Sequence, residues 1–329
     1  MSFAEIIMNP GSNQASLSWS SEEANQLLNG DVSAAAYSEN EPSPQGSTKV
    51  STSIRSAGGI TLSAPAKTVQ IFDTGSYSHQ PSVNARAALV MDGQTGEVLY
   101  SKNSNTAFPI ASITKLMTAV VIADARLNMS ENITLQQIDF AGAGGKNSSS
   151  TLRAGDSMNR AEALLFALMK SENPAAAALA RTYPGGRAAF VSAMNAKAKA
   201  LGMNSSRYVE SSGLDPRNVS SARDLGILVN TAAQYGLIRQ FSTTPSYDFN
   251  LGYRVLKSNN TNALVRNGGW NINISKTGYI NEAGRCVVMH TTLNNRPAVV
   301  VLLGADTSAA RTCYATRLMT WVTQLPKRI

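Results

Sequence analysis

Strand-forming segments stand at both ends of the apolar part of the chain, with helix-forming segments between them. Near the first end, apolar runs at residues 87–92 and 97–100 flank a glycine-bounded turn, which predicts a β-hairpin. Near the other end, residues 271–275, 286–293 and 298–303 are rich in apolar and β-branched side chains, which predicts three more strands.

Between these strands, apolar residues recur at spacings of three and four, as they do on one face of a helix. The predicted helices are residues 111–126, 161–170, 174–181 and 187–201, with one more at 309–322. The chain has 329 residues, of which 43% are hydrophobic, so it can bury a substantial core. We therefore predict an α+β fold, with an antiparallel sheet flanked by helices that seal its edges.

The first part of the chain has a different composition. Twelve serines lie between residues 10 and 58, among Asn, Gln, Glu and Pro, without helical or alternating periodicity. We predict that residues 1–84 form a flexible Ser-rich leader or tether, and that residues 85–329 form the folded domain. The alternative is a small folded subdomain with short strands at residues 60–62 and 69–72.

Charge and composition exclude several classes of function. The net charge is +8, but the cations are scattered and only 6% of the residues are aromatic, so we predict no nucleic-acid binding. No stretch reaches the roughly 18 to 20 apolar residues of a membrane span. The two histidines and the cysteines Cys286 and Cys313 lack metal-binding spacing, so we predict neither a metal site nor a Ser-His-Asp triad. The two cysteines could pair or remain thiols.

The tetrapeptide at residues 112–115, Ser-Ile-Thr-Lys, is the first candidate for chemistry and the only Ser-x-x-Lys in the chain. It starts the helix that follows Pro109, so Ser112 and Lys115 lie one turn apart on the same face. A lysine whose pKa is lowered by burial can take the proton from a serine hydroxyl and make it a nucleophile. The alternative is an ordinary helix-start serine with an exposed lysine. The apolar run at 116–125 makes an exposed lysine less expected there.

Ser171 and Asn173 form a Ser-x-Asn motif at a predicted corner between two helices. Ser171 ends the apolar run 164–170, and Pro174 starts the next helix. The same pattern occurs at six other places in the chain, so it is informative only through its position. Capping of the two helices would explain both residues equally well.

Lys276, Thr277 and Gly278 form the only Lys-Thr-Gly in the chain, directly after alternating isoleucines. Strand alternation predicts that Lys276 lies on the same side as Ile272 and Ile274, an unusual place for a solvated charge. A glycine at this point would let another backbone approach closely, as an extended peptide substrate beside a sheet edge requires. An edge-strand lysine followed by a turn is the alternative.

In this order, with their first residues 59 and 105 positions apart, the three motifs resemble the active-site signature of penicillin-binding proteins and serine β-lactamases. The resemblance runs from about Ala87 to Trp321 and includes residues 211–215. It is strongest to the low-molecular-mass D-alanyl-D-alanine peptidases, in particular to their endopeptidases. It implies the transpeptidase-like fold of that family, with residues 85–329 as the catalytic domain.

The resemblance also implies the molecules that the protein meets. These are peptidoglycan stem peptides and cross-links as substrates and β-lactam antibiotics as covalent inhibitors, without any metal or organic cofactor. The substrate implies a periplasmic location. No export signal is visible, because the first Lys or Arg of the chain is Lys49.

Three residues receive catalytic roles from this resemblance. Ser112 attacks the carbonyl of a D-Ala residue and forms an acyl-enzyme, with Lys115 as its base. Ser171 relays a proton to the leaving amine.

Five residues receive substrate-binding roles. Asn173 positions the substrate amide and orients the catalytic lysine. Lys276 supplies positive potential, and Thr277 helps to hold a substrate carboxylate. Gly278 lies beside the substrate, and the N–H of Tyr279 forms an oxyanion hole with the N–H of the nucleophile.

Other activities of the same fold remain as alternatives. A carboxypeptidase would remove a terminal D-Ala. In that branch an arginine commonly follows the last strand, whereas this chain aligns Asp306 there, which would repel a terminal carboxylate. A class A β-lactamase needs a glutamate between the second and third motifs, and the only one, Glu210, has neighbours that do not match. A non-catalytic wall-binding protein is disfavoured by the intact motifs.

Overall fold

The computed structural model describes residues 6–8, 15–17, 69–75, 77–142 and 149–326. The strands in these ranges are β1 Ile6–Met8, β2 Ala15–Leu17, β3 Phe72–Asp73, β4 Ala87–Asp92, β5 Glu97–Lys102, β6 Ala107–Pro109, β7 Asn132–Thr134, β8 Ser157–Asn159, β9 Val219–Ser221, β10 Ser246–Asn250, β11 Val255–Asn259, β12 Asn271–Ile280, β13 Gly284–Leu293 and β14 Arg296–Ala305. The α-helices are α1 Thr114–Ala125, α2 Arg160–Leu165, α3 Asn173–Arg181, α4 Gly186–Ala200, α5 Ala222–Ala232, α6 Gly236–Ser242, α7 Ala263–Asn267 and α8 Ser308–Thr323. Two 3-10 turns, Ala111–Ile113 and Gln137–Phe140, and a π-helical turn, Phe166–Lys170, accompany them.

Six of these strands form one sheet in the order β12-β13-β14-β4-β5-β3. Neighbouring strands are antiparallel, except that β3 runs parallel to β5. The predicted hairpin near residue 90 and the predicted strands near residue 300 join in one sheet, because β14 pairs with β4, with Val300 opposite Val90. The predicted α+β fold with a largely antiparallel sheet is confirmed. The turn between β13 and β14 places Asn294 and Asn295 at φ values of 49° and 63°, as a tight hairpin requires.

The sheet separates two hydrophobic cores, because successive side chains point to opposite faces. On one face, Val90 and Val300 pack under α8, which buries Leu318 and Met319. On the other face, a larger core includes Leu89 and most of the helices. Helix α1 runs inside this core, and its residues from 114 to 123 are all buried. A helix that is apolar on almost every side must lie in such a place.

Strand β12 corrects one prediction made from alternation. A β-bulge separates Ile272 from Ile274, and the two isoleucines belong to opposite cores. One extra residue in a strand reverses the side to which the following side chains point. Lys276 therefore shares its face with Ile274 and not with Ile272.

Part of the predicted leader lies within the described residues. Strand β3 pairs with β5 at the edge of the sheet, and Val83 is buried in the core beneath α8. Apart from β1 and β2, which pair with each other, residues 1–68 lie outside the described residues. The boundary at residue 84 stays a prediction.

The structure also bears on the predictions about membrane spans and about the two cysteines. In the described part of the chain, no helix is both long enough and apolar enough to cross a membrane. Cys286 is buried and Cys313 is exposed, and both are free thiols. The cysteines therefore do not pair with each other.

Candidate active site

Ser112 lies in the tight turn between β6 and α1. Strand β6 pairs with β9, and the N–H of Ile110 donates to the carbonyl of Asn218 at 3.2 Å. The next residue, Ala111, has a φ of 49°, a left-handed conformation that is costly for a residue with a side chain. The 3-10 turn then continues directly into α1, so that Lys115 lies in the first turn of that helix.

The side chain of Lys115 is 0% exposed, and its nitrogen has three partners. The Nζ atom donates to Ser112 Oγ at 2.7 Å, to Asn173 Oδ1 at 2.7 Å and to the carbonyl of Ser212 at 2.8 Å. The last two partners are carbonyl oxygens, which only accept hydrogen bonds. When Lys115 is neutral, its two N–H groups can stay on these oxygens, and its lone pair then faces the Ser112 hydroxyl. This arrangement suits proton transfer from Ser112 to Lys115.

Burial sets the protonation state of Lys115. Removal from water lowers the pKa of Lys115 to about 7, against the opposing effect of the carboxylates of Glu210 and Glu172. A lysine in water has a pKa near 10.4 and is almost wholly protonated at neutral pH. At this site a substantial fraction of the side chain is neutral amine, so the site supplies a base.

Ser171 and Lys276 form a second hydrogen-bonded pair. Ser171 has a φ of 61° at the end of the π-helical turn, a kind of turn that is frequent at functional sites. Its Oγ atom accepts a hydrogen bond from Lys276 Nζ at 2.9 Å, and the same Nζ donates to the carbonyl of Thr277 at 2.8 Å. Because the oxygen accepts from Lys276, the O–H of Ser171 is left to donate elsewhere.

Lys276 is only 1% exposed, on the face of β12 that meets α1 and the π-helical turn. Burial, together with repulsion from Lys115 and Arg311, lowers the pKa of Lys276 well below its ordinary value. The charge of Lys115 thus makes it harder for Lys276 to hold a proton. A role for Lys276 as a source of positive potential therefore depends on an anionic group bound nearby, and it stays a prediction.

Gly278 marks the point where β12 meets the Ser112 turn. A Cβ atom at this position would lie 2.9 Å from the nitrogen of Ser112 and 3.2 Å from the carbonyl oxygen of Ile110. The backbone of the Ser112 turn thus approaches Gly278 closely, and the substrate contact that the sequence suggested stays a prediction. The contact brings the Ser112 N–H next to the peptide between Gly278 and Tyr279. The N–H groups of Ser112 and Tyr279 can form one oxyanion hole only if they lie close together.

The three sequence motifs meet between α1, the π-helical turn and β12. Hydrogen bonds join Lys115 to Ser112 and Asn173, and another joins Lys276 to Ser171. The Thr277 hydroxyl pairs with the hydroxyl of Thr261 at 2.6 Å, and the side chain of Tyr279 is 44% exposed and stacks on Arg285. Among the described residues, no group of three or more His, Cys, Asp or Glu side chains could hold a metal ion.

Residues 74–307 match the family described as D-alanyl-D-alanine carboxypeptidase. A D-alanyl-D-alanine endopeptidase of Pseudomonas aeruginosa is 47% identical over 250 residues, which cover 74% of this chain and 78% of that protein. A D-alanyl-D-alanine endopeptidase of Escherichia coli K12 is 45% identical over 246 residues, with the same two coverages. The Streptomyces K15 DD-transpeptidase superposes with a TM-score of 0.67 at 26% identity, over 75% of this chain and 99% of that one. The chain belongs to this family of serine peptidases.

Membership makes the protein a serine hydrolase, and it confirms the resemblance that the three motifs indicated. The likeness to a DD-transpeptidase confirms the predicted fold. Neither comparison tests the roles assigned to individual residues. Those roles depend on the geometry described above.

One part of the site of this serine peptidase was missed in the sequence. The loop from Glu210 to Asp215 supplies the Ser212 carbonyl that accepts from Lys115. Gly213 has a φ of 87°, and a Cβ atom there would lie 1.8 Å from the carbonyl oxygen of Ala111, so the loop packs directly on the nucleophile turn. Residues 211–215 contribute to the family resemblance, but a backbone carbonyl occurs at every residue and gives no sequence signal of its own.

We expect a fluorescent penicillin to acylate this peptidase, and we expect Gly278→Ala to slow that acylation roughly 10²-fold, because the added methyl group displaces the Ser112 N–H. The measurement is the rate of covalent labelling. Gly252→Ala is the control: a Cβ atom there meets nothing within 4 Å, but its φ of 88° strains any side chain. That control should lose thermal stability and keep its labelling rate. Labelling of Gly278→Ala at the wild-type rate would contradict the importance of this contact.

Proposed function

We propose that this peptidase is a D,D-endopeptidase that hydrolyses D-alanyl cross-links of peptidoglycan through an acyl-enzyme on Ser112. One observation carries the proposal: Lys115 Nζ lies 2.7 Å from Ser112 Oγ, and its other two partners are oxygens that only accept. A nucleophile within hydrogen-bond reach of a base whose orientation is fixed by other groups is the arrangement that covalent catalysis requires. The two relatives named D-alanyl-D-alanine endopeptidase support the choice of substrate.

Acylation begins with the neutral amine of Lys115. As Ser112 Oγ attacks the carbonyl carbon of the D-Ala residue, its proton passes to Lys115 Nζ, whose other hydrogen bonds stay in place. The carbonyl oxygen becomes an oxyanion, which the N–H groups of Ser112 and Tyr279 stabilise. Loss of one such donor typically costs about 10² to 10³ in rate.

The tetrahedral intermediate then collapses as the bond to the leaving nitrogen breaks. The Ser171 hydroxyl relays the proton from Lys115 to that nitrogen, so the amine leaves neutral and Lys115 is again a base. Lys276 holds Ser171 Oγ by donating to it, which leaves the Ser171 O–H to point towards the leaving group. Asn173 positions the substrate amide, and Thr277 helps to hold a substrate carboxylate.

Deacylation repeats the same transfers with water as the nucleophile. Lys115 accepts a proton from the water, and Ser112 Oγ regains a proton as the ester breaks. A β-lactam antibiotic forms the same acyl-enzyme, but its opened ring keeps the leaving nitrogen attached. We therefore propose that β-lactams inhibit the protein covalently.

The substrate lies outside the cytoplasmic membrane, so we propose a periplasmic enzyme. In this proposal, the chain before residue 69 tethers the catalytic domain, because β3 and Val83 already belong to the sheet and core of that domain. The serine-rich composition of residues 10–58 supports a tether rather than a second enzyme domain.

Purified muropeptides test the choice of substrate. We expect cross-linked dimers to be cleaved to monomers, and pentapeptide monomers to lose D-Ala at a rate at least about tenfold lower, since two relatives with 47% and 45% identity are named endopeptidases. The measurement is chromatography of the products with mass detection. Release of D-Ala from monomers without cleavage of dimers would instead identify a carboxypeptidase. Absence of both reactions, without covalent labelling, would identify a non-catalytic binding protein.

A further inference from the structure

The carboxylate of Glu210 is surrounded by hydrogen-bond donors from its own loop. Oε2 accepts from the N–H and from the hydroxyl of Ser212, both at 2.6 Å. Oε1 accepts from the N–H of Gly213 at 2.6 Å and from Asn218 Nδ2 at 2.6 Å. A carboxylate that accepts so many bonds is fixed in place, and it also fixes the backbone that donates to it.

The loop that Glu210 fixes is in contact with the catalytic groups. The Ser212 carbonyl accepts from Lys115 Nζ at 2.8 Å, and the neighbouring carbonyl of Ser211 accepts from Thr118 of α1 at 2.7 Å. Gly213 packs on the carbonyl of Ala111, the residue before the nucleophile. One carboxylate thus holds a loop that touches the base and the nucleophile turn.

We propose that Glu210 is a positioning residue, which holds the Ser212 carbonyl on Lys115 and so aims the lone pair of the amine at Ser112. This inference rests on the proposed function of Ser112 and Lys115. If the Ser212 carbonyl moves away, one N–H of Lys115 loses its partner, and the neutral amine can rotate so that an N–H, not the lone pair, faces Ser112. Acylation then slows even though every group of the three motifs is present.

The same contacts explain why Glu210 does not act on substrate or water itself. A general base needs a lone pair within reach of the proton that it removes. The two oxygens of Glu210 are occupied by three donors within its own loop and by Asn218. Glu210 therefore differs from the water-activating glutamate of class A β-lactamases, which the sequence also disfavoured.

Glu210 also contributes charge to the site. Its carboxylate and that of Glu172 both raise the pKa of Lys115 and so oppose the larger effect of burial. On β12, the charges of Lys115 and Arg311 both lower the pKa of Lys276. Removal of the Glu210 charge takes away one of the two effects that raise the pKa of Lys115 and leaves its burial unchanged, so that pKa must fall.

Other charged groups near Glu210 are already paired. On the same loop, Asp215 binds Arg217 at 2.7 Å. Across a cavity of about 200 Å³ that Glu210 lines, Asp139 pairs with Arg187 at 3.2 Å. Asp139 also pairs with Arg181 at 2.9 Å, so this cluster has one more cation than carboxylates. Neither Asp139 nor Asp215 is free to replace the carboxylate of Glu210.

The test is Glu210→Gln, measured as the acylation rate of a β-lactam across pH. The plateau rate at high pH should fall roughly 10- to 100-fold, because an amide has one acceptor oxygen and cannot hold all the donors. In the wild-type protein the acylation rate should fall below about pH 7, where Lys115 becomes protonated. In the variant this fall should begin at lower pH, so the ratio of wild-type to variant rate should be smaller at pH 6 than at pH 8.

Two variants sharpen the test. Asp215→Asn makes the same carboxylate-to-amide change on the same loop. The pH below which its acylation rate falls should be the same as in the wild-type protein. Glu210→Asp keeps the charge but is shorter, so it should lower the plateau without moving the pH dependence. This second variant also carries the test if Glu210→Gln does not fold, as judged by thermal unfolding.

The proposal would be overturned if Glu210→Asp and folded Glu210→Gln both reached the plateau acylation rate of the wild-type protein at high pH. A lowered plateau in Glu210→Gln with an unmoved pH dependence would also overturn it, since that result indicates a merely structural role. Failure of the proposed function is a different result. In that case the wild-type protein itself would not be labelled on Ser112.

Discussion

Replacement of Ser112 by alanine should abolish covalent capture of a fluorescent penicillin and cleavage of cross-linked muropeptide dimers. We expect both rates to fall roughly 10⁴- to 10⁶-fold, the loss typical when a serine nucleophile is removed. The other groups of the site would remain, but Lys115 would have no hydroxyl to deprotonate. Mass spectrometry of the wild-type protein after exposure to penicillin should place the added mass on the peptide that contains Ser112.

The control for this variant is Ser101→Ala. Ser101 is exposed on β5 and hydrogen-bonds to Ser104, away from the three motifs. The control should be labelled at the wild-type rate, and both variants should unfold near the wild-type temperature, since each loses a single hydroxyl. Capture of penicillin by folded Ser112→Ala would disprove the proposed nucleophile and, with it, the mechanism.

Lys115→Met should have the second largest effect. Methionine fills a similar volume without a proton acceptor, so acylation should slow by about 10³- to 10⁴-fold, near the upper end of what general bases contribute. The wild-type rate should rise with pH and level off above about 7, because only the neutral form of Lys115 accepts a proton and its pKa is about 7. Each pH unit below that value should cost about tenfold. The residual rate of the variant should lack this dependence.

A second buried lysine provides a matched control. Lys197 is 4% exposed and pairs with Asp124 at 2.8 Å, outside the site. Lys197→Met should lower thermal stability, because it leaves a carboxylate without its cation, and it should keep the acylation rate and its dependence on pH. If Lys115→Met acylated within tenfold of the wild-type rate, another group would have to be the base.

Much of the catalytic pair was predictable, because it depends on neighbours along the chain. Ser112 and Lys115 are three residues apart at the start of a helix, so helical geometry alone brings them together. The apolar surroundings of α1 indicated that Lys115 would be buried, and burial is the cause of its lowered pKa. The isolated Lys-Thr-Gly motif likewise predicted a lysine on a strand at the site.

Other parts of the site could not be predicted from local pattern. Ile272 and Lys276 lie on opposite faces of β12 because of a bulge, which depends on the register against β13. Glu210 was weighed only as a water-activating base, whereas its oxygens hold a loop. The substrate contact of Gly278 stays a prediction, and only the structure reveals that its lack of a side chain makes room for the Ser112 turn.

The amino-acid sequence by itself determined the class of fold, and it predicts Ser112 as nucleophile and Lys115 as base from their spacing, because side-chain chemistry and helical periodicity depend on neighbours along the chain. Only the tertiary structure decided where the lone pair of Lys115 points. Its two fixed acceptors come from positions 58 and 97 residues farther along the chain. One of them is a backbone carbonyl, a group that every residue has, so no residue type in the sequence predicts it. Its position depends on how the loop at Glu210 packs against α1.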